Sequence, residues 1–198
     1  MIPKAYFMFH YQRDIWRVNQ VRNSHVVEGV AAAGFKDGSL WEESKKKGEA
    51  IIKKMIDDAL APTDVAVLLI GSKTADREYV EYEIKQARKL KKPVIGIFIH
   101  QLEDQYGKED TKGENPLTKF RIFGIKTYDW VRDNGYENFG KWIKEALEEA
   151  RSKTGRRAGA LAGAAIGAFG GPVVAGIGAL IGYAIGDEFD NDEDADDK

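Results

Sequence analysis

The chain has no cysteine. That excludes disulfides, thiolate zinc sites, iron–sulfur clusters and cysteine nucleophiles, and it fits a reducing compartment. Histidine is nearly as scarce. His10, His25 and His100 form no HExxH pair, so no histidine-based metal site is expected. Neither sign of charge dominates: 30 Lys and Arg stand against 32 Asp and Glu, a net charge of -2, which leaves no electrostatic case for nucleic acid. A secretory signal is also missing. The apolar start AYFMF runs straight into HYQRD, too short for the hydrophobic region of a leader, so a cytoplasmic protein is expected.

What is present is unevenly distributed. The 198 residues allow one domain of about 150 residues plus an appendage. Residues 187–198 hold eight acids and one lysine, leaving 29 basic against 24 acidic residues in 1–186. Ten of the 21 glycines fall between Gly155 and Gly186. The spacing predicts three parts: a domain over 1–152, a glycine-zipper hydrophobic helical segment over 153–186, and an acidic disordered tail over 187–198.

The first part reads as alternating strands and helices. Strands are expected at 4–10, within 26–35, at 64–71 (DVAVLLIG), 93–99 (PVIGIFI) and 127–130. Helices are expected at 14–23, with Asp14 as N-cap, and at 48–60, 77–91 and about 137–152. Residues 101–119 are polar and read as a long loop. Strands separated by helices of this length imply an α/β fold, a parallel sheet with helices on both faces. Ligands in such sheets bind beyond the carboxyl ends of the strands. The ends to inspect are His10-Tyr11, Asp37 to Trp41, Gly71-Ser72 and His100.

From Ala158 to Gly186 no residue is charged, and glycines recur every fourth position at 155, 159, 163, 167 and 171, then at 178, 182 and 186. That spacing puts them on one helical face, where backbones can approach closely. Gly170-Gly171-Pro172 divides the segment. A single helix would be about 43 Å long, enough for a bilayer core of about 30 Å, whereas each arm of a hairpin would reach about 21 Å. Membrane association at the inner face, or burial in a homo-oligomer, are the two expectations. The flanking Arg151, Lys153, Arg156 and Arg157 suit a cytosolic domain under the positive-inside rule.

Two nucleotide motifs fail on inspection. Gly135 to Lys141 matches the first seven positions of a P-loop, but the eighth, which needs a hydroxyl, is Trp142. Gly176, Gly178 and Gly182 have the wrong spacing for a dinucleotide fingerprint and follow no strand.

Four stretches carry a resemblance: FMFHYQRDIWRVNQVRNS (7–24), GFKDGSLWE (34–42), LLIGSKTADREYVEYEI (68–84) and YDWVRDNGYENFGKWI (128–143). Together they resemble the TIR-like family of the Thoeris antiphage system, over about three quarters of the chain. The resemblance implies a flavodoxin-like, five-stranded parallel sheet. It also implies NAD as substrate, with no other cofactor and no metal: cleavage of the nicotinamide–ribose bond, then formation of a cyclic ADP-ribose-type messenger for a separate effector. The competing expectation is a non-enzymatic TIR-like interaction module whose tail oligomerises in or disrupts the membrane.

Glu83 occupies the place of the TIR catalytic glutamate, one helical turn after Tyr79. A carboxylate there would stabilise positive charge on the ribose as nicotinamide leaves. Glu81 has Lys85 as an i,i+4 partner and suits a solvated helix face. Arg17, Asn19, Arg22 and Asn23 project from the first helix. The arginines either pair with the pyrophosphate or form an ordinary basic face, and positions 17 and 22 cannot share one side. His10 and Tyr11 lie at a strand end. Asp37, Ser39 and Trp41 lie in a loop able to cover a pocket, where Trp41 either stacks on a base or packs on the domain edge. Ser72 contacts phosphate or caps the next helix.

Overall fold

A computed structural model describes residues 2–24, 26, 28–30 and 48–169, the side chains of 28–30 and 155–169 excepted. The continuous apolar run near the centre of the sequence is buried along its whole length as a strand, Val65–Ile70 (β3). Such burial requires cover on both faces. Around it stand Lys4–Met8 (β1), Glu28–Val30 (β2), Val94–Phe98 (β4) and Thr127–Asp129 (β5). All pairings are parallel and the order is β2-β1-β3-β4-β5, the flavodoxin-like order expected.

The helices are Tyr11–Arg22 (α1), Glu49–Leu60 (α2), Val80–Lys89 (α3), Pro116–Lys119 (α4) and Gly135–Phe169 (α5). The β1–α1–β2 crossover moves along the sheet in the opposite direction from β2–α2–β3 and β3–α3–β4. Right-handed connections therefore place α1 on the face opposite α2 and α3. Register assigns the side chains. Tyr6 aligns with Ala66, Ile70 with Phe98 and Phe98 with Asp129, so these share one face. Tyr6 meets α3 on that face. On the other, Tyr128 stacks on Trp142 of α5 with centroids 4.2 Å apart.

Several boundaries differ from expectation. The first helix begins at Tyr11 with His10 as N-cap, so Asp14 is not a cap but a fully buried residue of the first turn. Only Phe9 and His10 separate β1 from α1, which leaves no room for a later start. The 101–119 stretch ends in a single helical turn, where Asn115 Oδ1 accepts from the Leu117 amide at 3.0 Å and Pro116 opens the helix. Gly135 starts α5, two residues before the expected start near 137. A Cβ there would lie 2.5 Å from the Trp130 ring.

The chain divides into two units, Met1–Leu147 and Glu148–Lys198. Helix α5, expected to end near 152, continues to Phe169, because the alanines of the uncharged segment favour helix up to Gly170-Gly171-Pro172. Among the described residues no helix is long and apolar enough to cross a membrane. The second arm of the glycine segment, the acidic tail, and the 34–42 stretch with Asp37, Ser39 and Trp41 lie outside the described residues.

Candidate active site

Helix α3 starts just beyond the carboxyl end of β3, after a 3₁₀ turn at Thr74–Asp76, with Tyr79 as N-cap. Glu83 closes the first turn, its amide donating to Tyr79 O at 2.9 Å. Its carboxylate is fully buried. The Tyr6 hydroxyl donates to Glu83 Oε1 at 2.7 Å, Arg77 Nη2 donates to the same oxygen at 3.2 Å, and Arg77 Nη1 donates to Oε2. A buried carboxylate left without such hydrogen-bond donors would be costly. Glu83 is therefore not a solvated helix residue. Glu81 is: it pairs with Lys85 at 3.2 Å, both well exposed.

Arg77 and Tyr6 escape the sequence reading for identifiable reasons. Arg77 lies before α3 in extended backbone, so no i,i+4 rule links it to Glu83. Tyr6 reads as one more buried aromatic of a strand, although a buried tyrosine hydroxyl usually finds a partner. Tyr79 is buried in a small apolar cluster with Ile52 and Ile56 of α2. His10 is half-buried just beyond the end of β1, its Nδ1 buried without a hydrogen-bond partner. Burial lowers the His10 pKa, and the Arg77 and Arg13 charges act in the same direction. Tyr11, half-buried, opens α1 next to it.

The remaining candidates go elsewhere. Arg17 is not a free cation for pyrophosphate. It is 3% exposed and donates to the carbonyls of Leu102 (2.8 Å), Lys108 (2.8 Å) and Arg13 (3.3 Å), with Asp14 at 3.6 Å and Asp104 at 3.7 Å. Asn19 is half-buried in mid-helix. Arg22 and Asn23 end α1 about 16 Å from its start, towards the amino ends of the strands, because the helix runs back between parallel strands. Ser72 does not cap a helix: its half-buried hydroxyl donates to Asp110 at 2.6 Å. His100 is buried, with its ring edge-on to Phe98.

Asp110 belongs to the loop after β4, which folds across the carboxyl edge of the sheet. A Cβ at Gly113 would lie 2.2 Å from Gly71 O. Arg13 binds Asp110 at 2.9 Å from α1. Burial alone would raise the Asp110 carboxyl, but the hydrogen bonds from Ser72, Arg13 and the Thr111 amide outweigh it and hold the pKa at about 2. Asp14, on the same edge, goes the other way. Both its oxygens are buried without a hydrogen bond, Arg17 being 3.6 Å away. Burial first, with Asp110 adding, pushes it from 3.8 to about 6 against the pull of Arg17 and Arg13.

An acid whose pKa rises on folding takes up a proton in the native state, so its contribution to stability falls as pH rises from about 4 to 6. The difference amounts to about 3 kcal/mol. D14N should therefore gain in stability relative to wild type between pH 4 and pH 7. Urea denaturation at both pH values checks this, and an unchanged difference would show that Asp14 stays ionised throughout.

Among the described residues no cluster of His, Asp and Glu suits a metal ion. The family model for the TIR-like domain of the Thoeris protein ThsB matches residues 6–104, a span containing Tyr6, His10, Arg77 and Glu83. The chain is 32% identical over 191 residues to "Putative cyclic ADP-D-ribose synthase ThsB1" of Bacillus cereus (strain MSX-D12), an alignment covering 72% of this chain and 100% of that relative. With the parallel sheet in flavodoxin-like order, these similarities fix the family: the chain belongs to the TIR-like domains of the Thoeris ThsB family.

Proposed function

We propose that the chain cleaves the bond between nicotinamide and ribose in NAD, with Glu83 stabilising the positive charge that develops on the ribose. The observation that carries this reading is a fully buried carboxylate in the first turn of the helix after the central strand. The name of the Bacillus cereus relative, a cyclic ADP-D-ribose synthase, supports the same chemistry. In the reaction the C–N bonding pair leaves with neutral nicotinamide, and the ribose carbon becomes oxocarbenium-like. Water then attacks to give ADP-ribose and a proton, or a nucleophile of the same molecule attacks to give a cyclic isomer and a proton. NAD is consumed, so no further cofactor is required, and the cyclic product would serve a separate effector. His10 and Tyr11, between the carboxyl end of β1 and the start of α1, are the residues proposed to help bind the substrate.

The test is incubation of purified full-length chain with NAD, with products identified by mass spectrometry. Nicotinamide plus ADP-ribose, or plus a product one water lighter, is expected. Intact NAD after incubation with folded protein would leave Glu83 as a structural ion-pair partner and the chain as an interaction module.

The helical extension is proposed to carry self-association. Gly155, Gly159, Gly163 and Gly167 fall on one face of the continuous α5. A leucine at that face blocks close helix approach. Gly163→Leu should shift a homo-oligomer to smaller species in analytical ultracentrifugation. Identical sedimentation of variant and wild type would remove the zipper.

A further inference from the structure

We propose that Arg77 is a latch on Glu83 which the diphosphate of the substrate draws open. The proposal rests on the reading of Glu83 above. In the present arrangement both Glu83 oxygens accept hydrogen bonds and none of the residue is exposed, so a ribose cannot reach the carboxylate unless a partner yields. Tyr6 is held: it is fully buried in β1, which is paired on both sides by β2 and β3. Arg77 is the partner able to yield. It lies in extended backbone between the 3₁₀ turn and α3, outside the sheet ladders, and its side chain keeps 8% of its surface where Glu83 keeps none. Of the two side chains, Arg77 is the one that touches solvent.

The chemistry that would draw it away is a phosphate group. Guanidinium binds phosphate oxygens in the same two-pronged manner as a carboxylate. The surroundings suit an anion. Arg77 and Arg13 both place positive charge at His10, while the nearby Asp76 is already paired with Lys119 at 2.9 Å and Lys73 at 3.5 Å. A diphosphate bound there exchanges one Arg77 ion pair for another and frees the carboxylate. Glu83 and the diphosphate therefore compete for one guanidinium, and removing the Glu83 charge should tighten diphosphate binding.

Isothermal titration with ADP, which carries the diphosphate and no scissile nicotinamide, tests this without turnover. Glu83→Gln should bind ADP about tenfold more tightly than wild type, because the latched fraction no longer subtracts from the affinity. The double variant Glu83→Gln/Arg77→Gln, which leaves no buried charge unpaired at this site, should lose that gain. Unchanged ADP affinity in Glu83→Gln, or a gain that survives in the double variant, overturns the latch even if wild type cleaves NAD. If the gain appears and then disappears as expected while wild type leaves NAD intact, the latch stands and the enzymatic reading falls. A second arm compares nicotinamide release from NAD and from nicotinamide riboside, which lacks phosphate. Arg77→Gln should narrow the wild-type preference for NAD at least about tenfold, whereas an equal loss on both substrates would make Arg77 merely structural.

Discussion

Glu83→Gln should release nicotinamide from NAD about 10²–10³-fold more slowly than wild type, the usual cost of one pre-organised electrostatic group. The amide keeps the size and can still accept from the Tyr6 hydroxyl, so the loss isolates the charge. It should fall on kcat rather than raise KM, since the charge matters where the ribose becomes cationic. Glu81→Gln is the control: its partner Lys85 lies on the exposed face of the same helix, and activity should be close to wild type. Melting curves of both variants establish folding. Comparable nicotinamide release by Glu83→Gln and wild type would remove Glu83 from the chemistry.

Arg17→Met should cost about 3–5 kcal/mol, the range for breaking a buried charge cluster by deleting one partner. The deletion strands the carbonyls of Leu102 and Lys108 and leaves Asp14, already short of hydrogen bonds, without its closest cation. At roughly 2–4 °C per kcal/mol for a chain of this size, the midpoint of thermal unfolding should drop by about 6–20 °C. Arg13→Met is the comparison. Arg13 is 46% exposed and its ion pair is with Asp110, so its loss should cost under about 1 kcal/mol. Equal melting temperatures for the two variants would show that the Arg17 cluster contributes little.

The central strands β1, β3 and β4 were legible because they are short apolar runs, whereas the edge strands β2 (EGV) and β5 (TYD) carry little pattern of their own. Glu83 was singled out by the family resemblance, because a glutamate in the first turn of a helix otherwise reads as solvated; its burial comes from the fold. Arg77 was not, because the contact spans a 3₁₀ turn and a helix start, where no fixed periodicity applies. Arg17 misled for a related reason. A basic residue on an amphipathic helix looks solvated, and only the fold brings residues 102 and 108 against it. Asp14 fits the pattern of an N-cap, yet the two-residue connection from β1 starts the helix earlier and carries the carboxylate into the interior. The Arg17 contacts join residues more than 80 positions apart, which local pattern does not encode.

That separation also bears on synthesis. While the chain emerges from a ribosome at about 5–20 residues per second, Arg17 appears many seconds before Lys108. A nascent chain stopped near residue 100 has the strands for its central β1–β3–β4 pairings but not all the carbonyls that satisfy Arg17, nor Gly113 to cover Gly71. The N-terminal half must therefore hold a hydrated arginine at its future interior until the loop arrives. Closure of the carboxyl edge of the sheet, like the addition of β5, therefore follows the residues of the central β1–β3–β4 pairings in biogenesis.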